Sequence, residues 1–320
     1  MRNWIFISLA SFFLISGCSQ PNADKKTLTI FHAGSLSVPL KVAADSFKRY
    51  NPKVTINLEA AGSVECARKI TDLNRKCDLF FSADYKVIKQ LLETGHADFF
   101  IPFASNRMVL AYSSKSKFAS TIDSLNWPTI LLRPDIFYGR SDPNTDPCGY
   151  RTVLVLQLAE KYYNRKGLAD SLLAKDNRFI RPKEVDLLAL LEASAIDYLF
   201  IYESVVKQHC LSYITLPDSV NLGNPSLANH YSTAKINIRG INPGDSVSIT
   251  GEPIVYAFTI PNNAPNPSLA VRFAQYFLSD TGGMRIVTQM GQQSLIPFDK
   301  SDCGIIPDDF SAFSSESHDR

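Results

Sequence analysis

The first third of the chain repeats one local unit, in which a short apolar strand runs into a loop and then into a helix. TLTIF (27–31), VTINLE (54–59) and CDLFFS (77–82) are the apolar segments, and each is followed by a helical pattern. Strands that alternate with helices in this way pair mainly in parallel, because each helix returns the chain to the starting edge of the sheet. The repeat predicts an α/β fold with a mainly parallel sheet flanked by helices.

A second α/β block follows, and its clearest elements are the helix after Asp146 and the strand DYLFIY (197–202). The strand PIVYAFTI (253–260) then leads into two helices, at about 267–278 and 281–290. These last helices have no local partner, so we expect them to pack on the first block.

The chain is therefore expected to cross between two lobes twice, near 108–114 and 253–260. Its length of 320 residues also favours two domains over one. This is the plan of a two-lobed periplasmic binding protein of type II, with the two crossing strands as a hinge. The expected boundaries are 27–110 with 254–320 for the first lobe and 111–253 for the second.

The N-terminus has the pattern of an export signal. One early Arg precedes an apolar run from Trp4 to Ile15, which is too short to span a bilayer as a mature helix. The ending LISGC resembles a bacterial lipobox, in which Cys18 is lipidated and becomes the first mature residue. An ordinary cleaved signal with an incidental cysteine is the alternative. We expect a signal peptide at 1–18, a polar tether at 19–26 and an extracytoplasmic, lipid-anchored protein; which membrane holds the lipid stays open.

Charge and cysteine content narrow the possible partners. The 33 basic and 31 acidic residues give a net charge of +2 without a polybasic stripe, so no nucleic-acid partner is expected. No spacing suggests a zinc site, and we expect no resident metal cation, no cofactor and a monomer. An odd number of cysteines beyond Cys18 leaves at least one unpaired, and Cys66 with Cys77 could form a local disulfide. The pairing is open among Cys66, Cys77, Cys148, Cys210 and Cys303.

Two serines occupy equivalent positions in the repeated unit. Ser35 follows Gly34 after the first strand, and Ser63 follows a glycine after the second. In open α/β sheets ligands bind beyond the carboxyl ends of the strands, where helix N-termini favour anions. Ordinary helix capping by both serines is the alternative, since serine is a favoured cap.

Two carboxylates are predicted at helix starts of the other lobe. Asp146 precedes Pro147 in SDPNTDPCGYR (141–151), and Glu184 follows Pro182. The helix dipole alone would explain both. Carboxylates facing a bound oxyanion repel it, unless the ligand has an electrophilic metal centre to which a carboxylate oxygen can bind.

With these residues in place, the sequence resembles the exported molybdate/tungstate-binding proteins of the archaeal type. The matching segments cover most of the mature chain in order and include FHAGSLSVPL, EAAGSVECARK, SDPNTDPCGYR, IRPKEVDLLALL and DYLFIYES. The resemblance implies a binding protein, not an enzyme, that delivers tungstate or molybdate to the permease and ATPase of an ABC importer. Which of the two anions is preferred stays open.

The resemblance also implies residue roles. Gly34, Ser35 and Ser63 would hold oxo groups, while Asp146 and Glu184 would bind the molybdenum or tungsten centre and expand its tetrahedral coordination to octahedral. The backbone at Pro147 and Cys148 and the side chain of Tyr202 would complete the pocket.

The sequence departs from the family pattern at two positions, and two functions other than tungstate or molybdate binding are left as alternatives. Cys77 stands where alanine is expected, and Glu203 stands where a basic residue is common; a solvated position for Glu203 is favoured over one facing the cleft. One rival is a sulfate or phosphate binder that uses serines and amides alone. The other is a thiol enzyme using Cys148, whose pKa a helix N-terminus would lower, although no partner base is evident.

Overall fold

The computed structural model describes residues 26–175, 177–240 and 244–315. The expected signal peptide with Cys18, and nearly all of the tether, lie outside these residues. Within the described ranges, no helix has both the length and the apolar character that a membrane span requires.

The elements alternate as the sequence pattern indicates. The strands are β1 (Lys26–Ala33), β2 (Val54–Ala61), β3 (Leu79–Ser82), β4 (Ile101–Asn106), β5 (Met108–Tyr112), β6 (Tyr138–Ser141), β7 (Ile180–Arg181), β8 (Tyr198–Tyr202), β9 (Ser212–Thr215), β10 (Lys235–Arg239), β11 (Ser246–Thr250), β12 (Ile254–Thr259) and β13 (Gln293–Ser294). The helices are α1 (Ser37–Tyr50), α2 (Ser63–Thr71), α3 (Tyr85–Leu91), α4 (Trp127–Leu131), α5 (Pro147–Tyr162), α6 (Leu168–Lys175), α7 (Leu188–Glu192), α8 (Glu203–Gln208), α9 (Asp218–Asn221), α10 (Ala228–Tyr231), α11 (Pro267–Leu278) and α12 (Gly283–Gln289).

The strands form two main sheets, each the centre of one lobe. The first lobe is built on a six-stranded sheet of order β13-β4-β12-β3-β1-β2, and the second lobe on a five-stranded sheet of order β7-β6-β8-β5-β9. Strands β2-β1-β3 and β7-β6-β8 are parallel, and the remaining pairs are antiparallel. The two α/β lobes confirm the predicted fold class, but the sheets are mixed rather than mainly parallel. The reason is that β5 and β12, which follow the two crossings, run against their neighbours.

The chain passes between the lobes at two adjacent points. It leaves the first sheet at Asn106 and enters the second at Met108, so residues 108–110 pair in the second sheet and not in the first lobe where they were expected. It returns at Ile254, which lies beside Asn106 in the β4–β12 ladder. Helix α11 packs on α1 of the first lobe, where the ring centroids of Phe47 and Phe273 are 5.2 Å apart.

The parallel strands of both sheets end towards the space between the lobes. Loops after β1 and β2 carry Ser35 and Ser63 there, and loops after β6 and β7 carry Asp146 and Glu184 from the other side. This is the position at which α/β sheets bind ligands.

The lobes touch each other across this space. The amide of Glu65 at the start of α2 donates a hydrogen bond to the carbonyl of Thr145 in the second lobe, at 3.2 Å. A Cβ atom at Gly62 would lie 2.1 Å from that same carbonyl oxygen. Glycine at 62 is therefore required for the lobes to come this close.

We expect Gly62→Ala to hold the lobes apart, because the added methyl group and the Thr145 carbonyl cannot occupy the same space. The φ of Gly62 is −61°, which alanine adopts without strain, so the unfolding midpoint should change little. Small-angle scattering should give a larger radius of gyration for the variant than for the wild type. Equal radii for the two proteins would contradict this account of lobe contact.

Candidate functional site

The residues predicted for the site converge between the lobes. The side chains of Ser35, Ser63, Asp146, Glu184 and Tyr202 are all buried, with exposures of 0% to 1%. The contact is close, since a Cβ atom at Gly34 would lie 3.1 Å from Oε2 of Glu184. The first lobe contributes the serines, and the second contributes the carboxylates and the tyrosine.

Each of the three hydroxyl groups accepts a hydrogen bond from the protein. Ser35 Oγ accepts from Tyr256 Oη at 3.0 Å, and Ser63 Oγ accepts from the amide of Ala83 at 3.0 Å. Tyr202 Oη accepts from Nη1 of Arg151 at 2.9 Å. A hydroxyl carries one hydrogen, so each of these groups keeps its own hydrogen for donation to another oxygen.

The serines are not helix caps, which was the alternative interpretation. Helix α1 begins at Ser37, and Ser35 lies in the 3-10 turn Gly34–Leu36 before it. Ser63 is the first residue of α2 and Gly62 is its N-cap, without a side-chain capping bond. Both hydroxyl groups are held by other parts of the first lobe.

Asp146 is both a cap and a link to the next loop. It is the N-cap of α5, where Oδ1 accepts from the amide of Cys148 at 3.3 Å. Oδ2 accepts from the amide of Glu184 at 3.0 Å. These two bonds fix the carboxylate of Asp146 against the backbone of Glu184.

The carboxylate of Glu184 lacks such support. Both of its oxygens are buried, and neither has a described residue in hydrogen-bonding geometry, although the Asp146 carboxylate and the Ser35 hydroxyl group are its neighbours. Burial raises the pKa of Glu184 well above 4.5, and the negative charge of Asp146 raises it further. Burial also raises the pKa of Asp146. A buried carboxylate is stable only with a proton or with an electron-poor partner, so this position is suited to one of the two.

Pro147 and Cys148 open helix α5 beside Asp146, and both are buried. The Cys148 thiol donates to the carbonyl of Phe200 at 3.6 Å. Burial and the charge of Asp146 raise its pKa well above 9.0. This direction is opposite to the lowered pKa that the thiol-enzyme hypothesis requires.

Glu203 does not lie in solvent, so that expectation is wrong. It is 6% exposed and forms a two-bond ion pair with Arg107, at 2.6 and 2.8 Å, beside the first crossing. Burial raises its pKa, but the hydrogen bonds and positive charges of Arg107 and Lys207 together outweigh burial, and the pKa is lowered. The carboxylate of Glu203 can be buried here because Arg107, the residue directly after β4, supplies a positive charge beside it.

The cysteines beyond Cys18 are free thiols, Cys66 and Cys77 included. Cys77 is buried, and burial raises the pKa of its thiol above 9.0. No group of three or more His, Cys, Asp or Glu side chains suited to a metal ion occurs in the residues that the structure describes.

Sequence reasoning missed the residues that hold the predicted hydroxyl groups. Tyr256 lies within an apolar strand and Arg151 within a helix, so neither has a local signal for a site role. Asn106, at the first crossing, donates to Tyr256 Oη at 3.3 Å. Only the fold brings these residues to Ser35 and Tyr202.

Comparison with known proteins gives the family. Residues 28–291 match the model of the bacterial extracellular solute-binding proteins. The chain belongs to this family. A solute-binding protein of Petrotoga mobilis, described as uncharacterized, is 46% identical over 84% of this chain and 84% of its own length. The molybdate/tungstate-binding protein WtpA of Pyrococcus abyssi is 41% identical over 86% of this chain and 88% of its own length.

Solved structures show the same fold. The periplasmic molybdate-binding protein of Azotobacter vinelandii superposes with a TM-score of 0.61, over 83% of this chain and 98% of its own. The sequences are 19% identical, so this likeness concerns the fold alone. It confirms the two-lobed architecture of a periplasmic binding protein, and membership of the solute-binding family makes the protein an extracytoplasmic one.

We expect Glu184→Gln to stabilise the ligand-free protein at about pH 7.5 by about 1 to 3 kcal/mol, because it removes the cost of burying an ionisable carboxyl group that has no hydrogen-bond partner. Because the pKa of Glu184 is raised in the folded protein, protonation of its carboxylate stabilises the fold. This contribution is complete below pH 4.5, the ordinary pKa, and is lost as the pH rises through the raised pKa. The gain from the substitution should therefore vanish near pH 4.

Urea unfolding at both pH values checks this expectation. The exposed Glu192 supplies the control, since Glu192→Gln should change stability little at either pH. A Glu184→Gln variant that is no more stable than the wild type at pH 7.5 would show that the carboxylate is not held unpaired.

Proposed function

We propose that the protein captures tungstate or molybdate outside the cytoplasmic membrane and delivers it to an ABC importer made of a permease and an ATPase. The observation that carries the proposal is the unpartnered, buried carboxylate of Glu184 beside the fixed carboxylate of Asp146. The resemblance of the sequence to molybdate/tungstate-binding proteins gives the same ligand.

The hydroxyl groups suit the oxygen atoms of the ligand. Ser35, Ser63 and Tyr202 each retain a hydrogen to donate, and each is held in place by a bond from the protein. Donors that are fixed before the ligand arrives lose little freedom on binding. These hydroxyl donors would bind any oxyanion and do not discriminate among oxyanions.

The carboxylates suit the metal centre. Asp146 and Glu184 would repel sulfate or phosphate, whose central atoms do not accept further carboxylate oxygens. Molybdenum and tungsten centres accept additional oxygen ligands, so the same two charges become attractive. We propose that both carboxylates bind the metal centre, with Gly34 and the backbone at Pro147 and Cys148 shaping the pocket.

The relatives agree with this ligand. WtpA of Pyrococcus abyssi is named for both anions, and its likeness extends over 86% of this chain. A shared fold does not by itself give a shared function, so the proposed ligand rests on Asp146 and Glu184 themselves.

We also propose how the protein is anchored and moves. Cys18 would carry the lipid that holds the monomer at the cell envelope, without a cofactor and without nucleic acid as a partner. The lobes would close on the anion by bending at the two crossings, and the closed form would dock on the permease.

Calorimetric titration of the protein lacking residues 1–18 tests the ligand. We expect one-to-one binding of tungstate and molybdate and no heat from sulfate or phosphate at matched ionic strength. Equal binding of sulfate, or no heat from any of the four anions, would contradict the proposal.

Substitution of the carboxylates tests the mechanism. Asp146→Asn and Glu184→Gln should each weaken tungstate binding at least about 100-fold, or about 3 kcal/mol, since an amide binds the metal centre poorly. The exposed Asp170 and Glu192 provide matched controls, and Asp170→Asn and Glu192→Gln should bind as the wild type does. Full affinity in Glu184→Gln would overturn the proposed role of the carboxylates.

A further inference from the structure

A buried ion pair joins the two lobes beside the site. Arg151 lies in α5 of the second lobe, and its Nη2 is 3.0 Å from Oδ2 of Asp84 in the first lobe. Both side chains are 3% exposed. A charge pair buried between two bodies forms only when the bodies are in contact, because separate lobes would leave both charges in water.

Asp84 forms contacts with residues of both lobes. It is the N-cap of α3, where Oδ1 accepts from the amide of Lys86 at 2.9 Å. Oδ2 accepts from Tyr150 Oη of the second lobe at 2.5 Å and faces Arg151. Oδ1 of Asp84 therefore bonds within the first lobe, whereas Oδ2 contacts residues of the second lobe.

Arg151 connects this pair to the proposed oxyanion donors of both lobes. Its Nη1 donates to Tyr202 Oη at 2.9 Å and to the carbonyl of Ala83 at 2.7 Å. The amide of Ala83 in turn donates to Ser63 Oγ. The same guanidinium thus holds the Tyr202 hydroxyl group directly and the loop that orients Ser63.

We propose that Arg151 and Asp84 act as an inter-lobe latch, in which Arg151 is a positioning residue that holds Tyr202 in its own lobe and, when the lobes close, also binds Asp84 and the carbonyl of Ala83 in the other lobe. The proposal rests on the proposed function, since the oriented hydroxyl groups are those assigned to the oxyanion. The latch slows ligand release, because opening must break both the ion pair with Asp84 and the hydrogen bond from Arg151 to the carbonyl of Ala83.

Stopped-flow binding of tungstate to Arg151→Gln, Asp84→Asn and the double variant tests the latch. We expect each single variant to raise the dissociation rate at least about tenfold and to change the association rate less than about threefold. The double variant should dissociate no faster than the faster-dissociating single variant, because both substitutions remove the same interaction.

An exposed pair within the second lobe supplies the control. Arg133 Nε lies 3.3 Å from Asp135 Oδ1, and both side chains are about half exposed. Arg133→Gln and Asp135→Asn should leave both rates unchanged. Tyr150→Phe offers a milder test, since it removes one bond to Asp84 without leaving a charge unpaired, and it should raise the dissociation rate by a smaller factor.

Distances between spin labels give a measurement that does not depend on the ligand. Leu73 of the first lobe and Leu125 of the second are exposed, and Leu73→Cys with Leu125→Cys in a Cys210→Ser background can carry the labels. In the labelled protein, Asp84→Asn or Arg151→Gln should lengthen the distances between the labels relative to the labelled protein without these substitutions. We expect this difference both with and without tungstate.

The outcomes separate the two proposals. If the wild type does not bind tungstate or molybdate, the proposed function fails, and the label distances still decide on the latch. Wild-type distances and rates in the variants would overturn the latch alone. Loss of binding in Arg151→Gln with wild-type behaviour in Asp84→Asn would also overturn it, because Arg151 would then act on the anion directly.

Discussion

The rest of the structure depends on two carboxylates that are buried side by side between the lobes. Asp146 is stabilised by the amides of Cys148 and Glu184, whereas the carboxylate of Glu184 has no partner among the described residues. Leaving such a charge unpaired is costly, so an arrangement of this kind is understandable only if a proton or an electron-poor atom completes it. The three hydroxyl donors around it suit oxygen atoms. Together they describe a ligand with an electrophilic centre and an oxygen shell.

The fold explains why these groups meet. Parallel strands of both sheets end at the same gap, so short loops are enough to bring Ser35 and Ser63 opposite Asp146 and Glu184. The crossings lie side by side at Asn106 and Ile254. Asn106 donates to Tyr256, and Tyr256 donates to Ser35, so a chain of hydrogen bonds runs from the crossing to the site. The proposed bending at this crossing would therefore be transmitted to Ser35.

Much of this could be predicted from sequence, because local patterns carried it. Apolar strands followed by glycine loops predicted the two α/β lobes, and the cap at Asp146 followed from its neighbouring proline. The hairpin β10–β11 was not predicted because it lies in a polar stretch of the sequence. The antiparallel pairing of β12 with β3 and β4 was not predicted, since pairing between distant strands leaves no local pattern. The ion pair of the buried Glu203 with the partly exposed Arg107 was missed for the same reason. Arg151 and Asp84 lie far apart in sequence, and only the closed arrangement shows that they meet.

X-ray absorption at the tungsten edge of the tungstate complex reports the atoms bound to the metal centre, so it decides whether the carboxylates coordinate that centre. We expect additional oxygen neighbours at longer distances than the oxo groups in the wild type, and their partial loss in any complex that Glu184→Gln still forms. A tetrahedral oxo shell in the wild-type complex, the same as that of free tungstate, would contradict this expectation. The serines and the tyrosine would then hold the anion alone, and the buried carboxylates would need another explanation.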